Sequence, residues 1–133
     1  MIPNFDDRGY LPAGVHPASL DEIETRFGRQ SELRQVQMQS LRWLVELAKK
    51  AGVQRLIING SFVTERLEPN DVDCVLLAAP SHARNLAAER EILNGLPFLE
   101  IELVRQDAFD FLVEIIFATD RKHISKGVVE VLL

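Results

Sequence analysis

The sequence predicts an α/β (α+β) fold in which a small mixed sheet is flanked by helices, in a single domain of residues 1–133. Segments with the 3.6-residue apolar period of a helix alternate with short β-branched runs. The chain length suits one domain, and 47% hydrophobic against 26% charged residues suits a globular core. No repeat, low-complexity tract or long linker divides the chain.

Residues 1–18 predict an extended arm laid over the domain, because prolines and glycines interrupt regular structure there. These residues are Pro3, Gly9, Pro12, Gly14 and Pro17. A short helix is expected over residues 19–28, with Ser19 as its N-cap and Glu22 completing a capping box. Gly28 is expected to end it.

The strongest helix signal covers residues 31–52, with Ser31 as the expected N-cap and Gly52 as the stop. Two lysines at its C-terminal end suit the helix dipole. Trp43 is expected to pack in the core or at its rim. The apolar positions that follow the helical period are Leu33, Val36, Leu41, Leu44, Val45 and Ala48.

Strands and helices are expected to alternate after this long helix. The predicted strands cover residues 53–59, 71–78, 98–104 and 128–133. A helix capped by Ser81 is expected over residues 81–95, and another over residues 107–119. The segment 60–66 predicts a turn entering a short helix, and residues 120–127 predict a polar loop.

Charge and composition exclude several functional classes. A net charge of −5 and a pI near 5.2 argue against binding nucleic acid by bulk electrostatics. The longest apolar run is far too short to span a bilayer, and the acidic N-terminus lacks a signal-peptide core, so a cytoplasmic protein is expected. Cys74 is the only cysteine and is expected to be a small core residue. His16, His82 and His123 lack metal-ligand spacing and are expected at the surface or in loops.

Two carboxylates stand close together at the start of the second predicted strand. Side chains at i and i+2 of a strand face the same way, so Asp71 and Asp73 would project together, about 7 Å apart at the backbone. Like charges this close call for a cation, and Mg²⁺ or Mn²⁺ prefers such oxygen ligands. The alternative is an acidic pair in a plain turn.

Gly60 and Ser61 follow the first strongly apolar strand of the predicted sheet. The glycine allows close approach of the backbone, and a serine at a helix N-terminus can hold a phosphate. The alternative is an ordinary strand–turn–helix with Ser61 as N-cap. Arg66 can reach a triphosphate from this segment or remain a solvated surface residue.

A third carboxylate is available on the third predicted strand. Glu100 and Glu102 share one face of it, and either can complete a metal site if this strand lies beside Asp71 and Asp73; Glu100 is favoured. The alternative is that both face solvent on an edge strand. Arg121, Lys122 and Lys126 form a basic cluster that can contact a nucleotide or a partner, although a charged loop is the preferred interpretation.

The stretch "NGSFVTERLEPNDVDCVLL" resembles the nucleotidyltransferase superfamily of the DNA polymerase β type. That superfamily has a Gly-Ser, a short helix and loop, an Asp-x-Asp, and an acidic residue on a later strand. The whole chain is similar to a group of small bacterial nucleotidyltransferase-like proteins of largely unknown function. The segments that carry this similarity are "IPNFDDRGYLPAGVH", "EIETRFG", "GSFVT…PNDVD" and "FATDRKHISKGVVEV".

The resemblance implies a minimal nucleotidyltransferase fold and a two-metal transfer of a nucleoside monophosphate from an NTP such as ATP. It implies that Asp71, Asp73 and Glu100 bind Mg²⁺ or Mn²⁺, with the third carboxylate helping to activate the attacking hydroxyl. Gly60 and Ser61 would hold the β- and γ-phosphates. Superfamily acceptors include RNA, small molecules and protein side chains. Minimal members commonly sit in bacterial toxin–antitoxin or phage-defence pairs, so a cognate toxin is a candidate partner.

The chain departs from the superfamily pattern at two places. Glu100 stands where an Asp is usual, and "FVTERLEPN" stands where the antitoxin-type minimal transferases carry an Arg-Gly pair. Two functions therefore stay open: an active Mg²⁺-dependent nucleotidyltransferase, and a catalytically degenerate fold that acts as a binding module or antitoxin-like partner protein.

Overall fold

The computed structural model describes residues 1–116, 122 and 124–133. They form a mixed five-stranded sheet flanked by helices, which confirms the predicted fold class. The strands are β1 (Val15–Ala18), β2 (Arg55–Asn59), β3 (Val72–Leu77), β4 (Leu99–Val104) and β5 (Val128–Val131). The α-helices are α1 (Leu20–Phe27), α2 (Glu32–Ala51), α3 (Leu86–Leu93) and α4 (Gln106–Phe111).

The strand order of the sheet is β1-β5-β2-β3-β4. β2 is antiparallel to both of its neighbours, β3 and β5. β1 is parallel to β5, and β4 is parallel to β3. The strand that carries Asp73 therefore lies between the strand that ends at Asn59 and the strand that carries Glu100.

The two faces of the sheet bury different cores. The larger core includes Ile58 and Cys74 from the sheet, and α1, α2 and α3 cover it. On the opposite face, Ile57 and Val75 pack against Phe109 and other residues of a smaller cluster. Because strand side chains alternate, Asp73 belongs to the face with the smaller cluster, and Cys74 is buried in the larger core as expected.

Local hydrogen bonds explain where the first two helices begin and end. The side chains of Ser19 and Ser31 accept hydrogen bonds from backbone N–H groups of α1 and α2, as predicted. Gly52 ends α2 in the left-handed conformation with φ +73°. The predicted capping box is wrong, because the Glu22 carboxylate instead accepts the backbone N–H of Ile2 at 2.8 Å.

The cap of α3 also differs from the prediction. Ser81 lies in a separate 3₁₀ turn, Ser81–Ala83, and α3 is capped by Asn85, which accepts the backbone N–H of Ala88 at 3.2 Å. Asn85 suits this position because a short polar side chain can reach the first turn of a helix.

The predicted N-terminal arm is laid over the domain, with Ile2 and Leu11 buried, but its last four residues join the sheet. They form β1, which pairs with β5 from the other end of the chain. The sequence hides this strand because it contains Pro17, which is tolerated at a sheet edge where no ladder N–H is needed.

Two apolar residues of α2 are not in the core. Val36 is 38% exposed and Trp43 is 54% exposed, whereas the buried stripe of α2 includes Arg34 and Gln37. Of the two predicted positions for Trp43, core or rim, the core is therefore wrong, because the stripe that faces the sheet is rotated away from it.

The last predicted helix begins as α4 and continues as a π-helical turn, Leu112–Ile116. The rest of the predicted range, residues 117–119, lies outside the described residues. No helix in the described part of the chain is long and apolar enough to cross a membrane.

Candidate functional site

Three oxygen-bearing side chains lie in a row across the sheet. Asn59 at the end of β2 pairs with Asp73 of β3, and Asp73 pairs with Glu100 of β4. Paired residues of adjacent strands project from the same face, about 5 Å apart. On this face, Asn59 is two residues from Ile57 along β2, and Asp73 is two residues from Val75 along β3. Phe109 helps to cover Ile57 and Val75. The sheet thus brings together residues that are 41 positions apart in sequence.

Asp73 packs directly on Gly60. A Cβ placed on this glycine would lie 2.5 Å from Asp73 Oδ2, and Gly60 has φ +83° and ψ −166°. That backbone conformation is essentially restricted to glycine. Position 60 therefore requires a glycine for two reasons: the backbone conformation after β2, and the space that the Asp73 carboxylate occupies. The sequence predicted such a close approach at this glycine.

Asp73 and Glu100 are register partners on adjacent parallel strands, so their side chains stand next to each other on one face of the sheet. Burial raises the pKa of Asp73 to about 6, and the hydrogen bond and negative charge of Glu100 add to the rise. The charge of Asp71 raises it further, whereas Lys126 acts in the opposite direction. When ionised, Asp73 therefore lies near other negative charges, with Lys126 as the opposing positive charge.

The register of β4 selects Glu100 over Glu102. The Val72 N–H donates to the carbonyl of Phe98 at 2.9 Å, and Phe98 turns the chain into β4 with φ +65°. From that starting point Glu100 falls beside Asp73, and Glu102 falls beside the apolar Val75. Of the two candidates from the sequence, the structure brings only Glu100 beside Asp73. Both glutamates are exposed on the edge strand β4, as the alternative interpretation predicted.

Asp71 occupies a looser position than predicted. β3 begins at Val72, so Asp71 belongs to the preceding loop and strand alternation does not fix its side chain. Its charge still reaches Asp73. Within residues 1–116, 122 and 124–133, no three His, Cys, Asp or Glu side chains are grouped closely enough to hold a metal ion by themselves.

Ser61 does not stand at the N-terminus of an α-helix. The predicted short helix is a single 3₁₀ turn, Ser61–Val63, which is too short to carry a useful dipole. Ser61 is half-buried beside Gly60 and offers its own hydroxyl. Arg66 is exposed, and within the described residues its side chain makes no ion pair with the acidic residues.

A buried arginine holds the segment 61–66 in place. Arg34 of α2 is 2% exposed, lies 5.3 Å from the Phe62 ring centroid, and has a pKa lowered to about 10 by burial, so it is charged at neutral pH. Its guanidinium donates only to backbone carbonyls among the described residues. The carbonyls belong to Phe27, Ser61, Phe62, Thr64 and Arg66.

The Asn59 side chain is 3% exposed, and its Oδ1 atom has no hydrogen-bond partner among the residues described. Gln37 also has an unpaired side-chain oxygen, but its Nε2 donates to the carbonyls of Pro69 and Asn70 and so anchors the loop that leads to β3. Asn59 thus leaves an acceptor unused next to Asp73.

The C-terminal basic cluster is only partly described. Lys126 is half-buried, and its positive charge acts on Asp73. Lys122 is exposed, whereas Arg121 and His123 lie outside the described residues. Lys126 therefore approaches the site, although the sequence favoured a charged loop.

His16, His82 and Cys74 lie outside the row of Asn59, Asp73 and Glu100. His82 is exposed, and His16 on β1 contacts the carbonyl of Pro12 at 2.7 Å. Burial raises the pKa of the Cys74 thiol, which makes it a poor nucleophile.

Sequence patterns did not single out Arg34 or Asn59. An arginine in a helix and an asparagine at a strand end suggest solvent and a turn respectively, and only the three-dimensional arrangement makes them unusual. The one available signal was the interruption of the apolar stripe of α2 by Arg34.

The donors in the row fit a divalent cation such as Mg²⁺ or Mn²⁺. Mg²⁺ is commonly held by one or two carboxylates, with substrate phosphates completing its coordination. Asp73 and Glu100 supply two such carboxylates on adjacent strands, and their like charges favour a cation between them.

Comparison with known proteins gives a family without an assigned activity. No curated protein and no solved structure matches the chain. One family model, described as "Family of unknown function (DUF6932)", matches residues 3–132. Since this match spans nearly the whole chain, the protein belongs to the DUF6932 family.

Proposed function

We propose that this protein is a metal-dependent nucleotidyltransferase that moves a nucleoside monophosphate from an NTP to a hydroxyl group. The observation that carries the proposal is the pairing of Asp73 with Glu100 across adjacent strands, with Asp73 seated on Gly60. The sequence resemblance calls for a Gly-Ser, an Asp-x-Asp and an acid from a later strand in one place. The strand register supports that arrangement for Gly60, Asp73 and Glu100.

Asp73 and Glu100 would hold the cation, and Asp71 in the loop before β3 would add negative charge near it. A bound Mg²⁺ or Mn²⁺ ion would neutralise the triphosphate and lower the pKa of the attacking hydroxyl. Glu100 is exposed, so its carboxylate can accept the proton of an incoming acceptor hydroxyl. The acceptor oxygen forms a bond to the α-phosphorus, the bond from the α-phosphorus to the bridging oxygen breaks, and pyrophosphate leaves.

Groups that lie around Asn59, Asp73 and Glu100 would contact the phosphates. Ser61 can donate its hydroxyl to a phosphate oxygen, and the charge of Lys126 suits the leaving pyrophosphate. Arg66 is exposed and requires a change of side-chain conformation to join them. The acceptor is proposed to be RNA, a small molecule or a protein such as a cognate toxin.

The test is transfer of label from each α-labelled NTP, with Mg²⁺ or Mn²⁺, to RNA, protein and small-molecule acceptors. We expect the wild-type chain to transfer label and the Asp71→Ala/Asp73→Ala double variant to transfer none. Glu102→Gln serves as the matched control, since Glu102 lies beside Val75 rather than Asp73.

Two negative results have different meanings. Cation-dependent NTP binding without transfer to any acceptor would favour the alternative function, a degenerate fold that acts as a binding module. Absence of both binding and transfer would overturn the nucleotidyltransferase proposal.

A further inference from the structure

The carboxamide of Asn59 lies in the acidic row but takes no part in the chemistry described above. It is 3% exposed, and its Oδ1 lacks a partner among the described residues. It is the direct cross-strand neighbour of Asp73 and stands on the same face of the sheet. Asn59 therefore neighbours the two carboxylates, unlike Gln37, whose amide binds the loop that leads to β3.

An unpaired buried acceptor is unfavourable for folding, because it loses its hydrogen bond to water and gains nothing in return. The neighbouring positions on this face, Ile57 and Val75, are fully buried and apolar. A leucine at position 59 would continue that pattern without an unpaired oxygen. The described residues leave this buried oxygen for a ligand to satisfy.

We propose that Asn59 Oδ1 is an oxygen ligand of the divalent cation held by Asp73 and Glu100. The inference rests on the proposed function. A neutral carbonyl oxygen suits Mg²⁺ or Mn²⁺ and adds a donor without adding another negative charge to a crowded carboxylate pair. It also supplies a third protein oxygen in a site where the described residues provide no group of three acidic or histidine ligands.

The experiment measures Mn²⁺ binding to the full chain at pH 8, by the electron paramagnetic resonance signal of the free ion. Asn59→Leu should weaken Mn²⁺ binding by roughly tenfold. The same variant should have a higher melting temperature than wild type in EDTA, because the unpaired oxygen is gone. Asn59→Asp keeps an oxygen at this place and should bind Mn²⁺ at least as tightly as wild type. Glu102→Gln is the control and should bind as wild type does.

The outcomes separate this inference from the proposed function. If wild type shows no Mn²⁺ site that Asp73→Asn abolishes, the proposed function fails together with the inference. If that site exists and Asn59→Leu binds Mn²⁺ as wild type does, only the role of Asn59 is overturned. Should Asn59→Leu not fold, weaker binding by Asn59→Asp than by wild type overturns the inference, and equal or tighter binding supports it.

Discussion

Asp73 destabilises the folded protein when its carboxyl group is ionised. The unfolded chain releases the proton of this carboxyl near its ordinary pKa of 3.8, whereas burial and the neighbouring Glu100 keep it on the folded protein up to about pH 6. The folded state therefore binds more protons between these values, and the stability of the protein falls as the pH rises from about 4 to about 6. Above that range, the cost of the ionised Asp73 is fully present.

Replacing Asp73 with Asn should remove this cost. An asparagine resembles the protonated acid in shape and carries no charge. In EDTA at pH 7.5, we expect Asp73→Asn to increase the free energy of unfolding by roughly 2–3 kcal/mol, from a pKa rise of about two units. Near pH 3.5 the gain should disappear. Urea unfolding at the two pH values measures it.

The control for this comparison is Asp7→Asn, because Asp7 is exposed in the N-terminal arm. Its effect should stay within about 0.5 kcal/mol at both pH values. A loss of stability in Asp73→Asn at pH 7.5 would mean that the ionised carboxylate is stabilised in the fold, which contradicts the raised pKa of Asp73.

At the scale of elements, the site depends on the junction between β2 and the 3₁₀ turn. Gly60 turns the chain out of β2 and makes room for Asp73. The Arg34 guanidinium donates hydrogen bonds to backbone carbonyls of this segment. These side chain–backbone bonds, rather than a regular strand ladder, tie the segment to α2. The carbonyl of Ser61 is thus held by Arg34 of α2, a residue 27 positions earlier in the chain.

Gly60→Ala tests this junction against Gly95→Ala, a matched control. Both glycines have positive φ, +83° and +90°, but a Cβ at Gly95 meets nothing within 4 Å. Gly95→Ala should lose about 1–2 kcal/mol of stability from backbone strain alone. Gly60→Ala should lose more, because its Cβ displaces the Asp73 carboxylate, and only this variant should lose Mn²⁺ binding.

Urea unfolding and Mn²⁺ titration of the two glycine variants separate strain from displacement. Equal stability losses with Mn²⁺ binding retained in both would show that the contact between Gly60 and Asp73 is unimportant for the site.

At the scale of the whole molecule, periodicity and capping predicted the regular elements well. The extent of α2, the caps Ser19 and Ser31, and the stop at Gly52 depend on residues close in sequence, and the structure confirms them. β1 was missed because its strand character comes from its partner β5 at the far end of the chain. Local patterns carry no information about such a pairing.

The site was predictable in its residue types and less so in its geometry. Sequence alternation left Glu100 and Glu102 equivalent, and only the register that starts at Phe98 distinguishes them. Alternation also placed Asp71 on β3, but the strand begins one residue later. Asn59 became visible only because the structure shows that its oxygen is buried without a described partner.

The central claim is that Asp73 and Glu100 bind an NTP through a divalent cation. Titration of the wild-type chain, Glu100→Gln and Glu102→Gln with an α-labelled NTP, in Mn²⁺ and in EDTA, tests it most directly. We predict Mn²⁺-dependent binding by wild type, roughly tenfold weaker binding by Glu100→Gln, and unchanged binding by Glu102→Gln. Binding that is absent, that persists in EDTA, or that falls equally in both variants would contradict the claim.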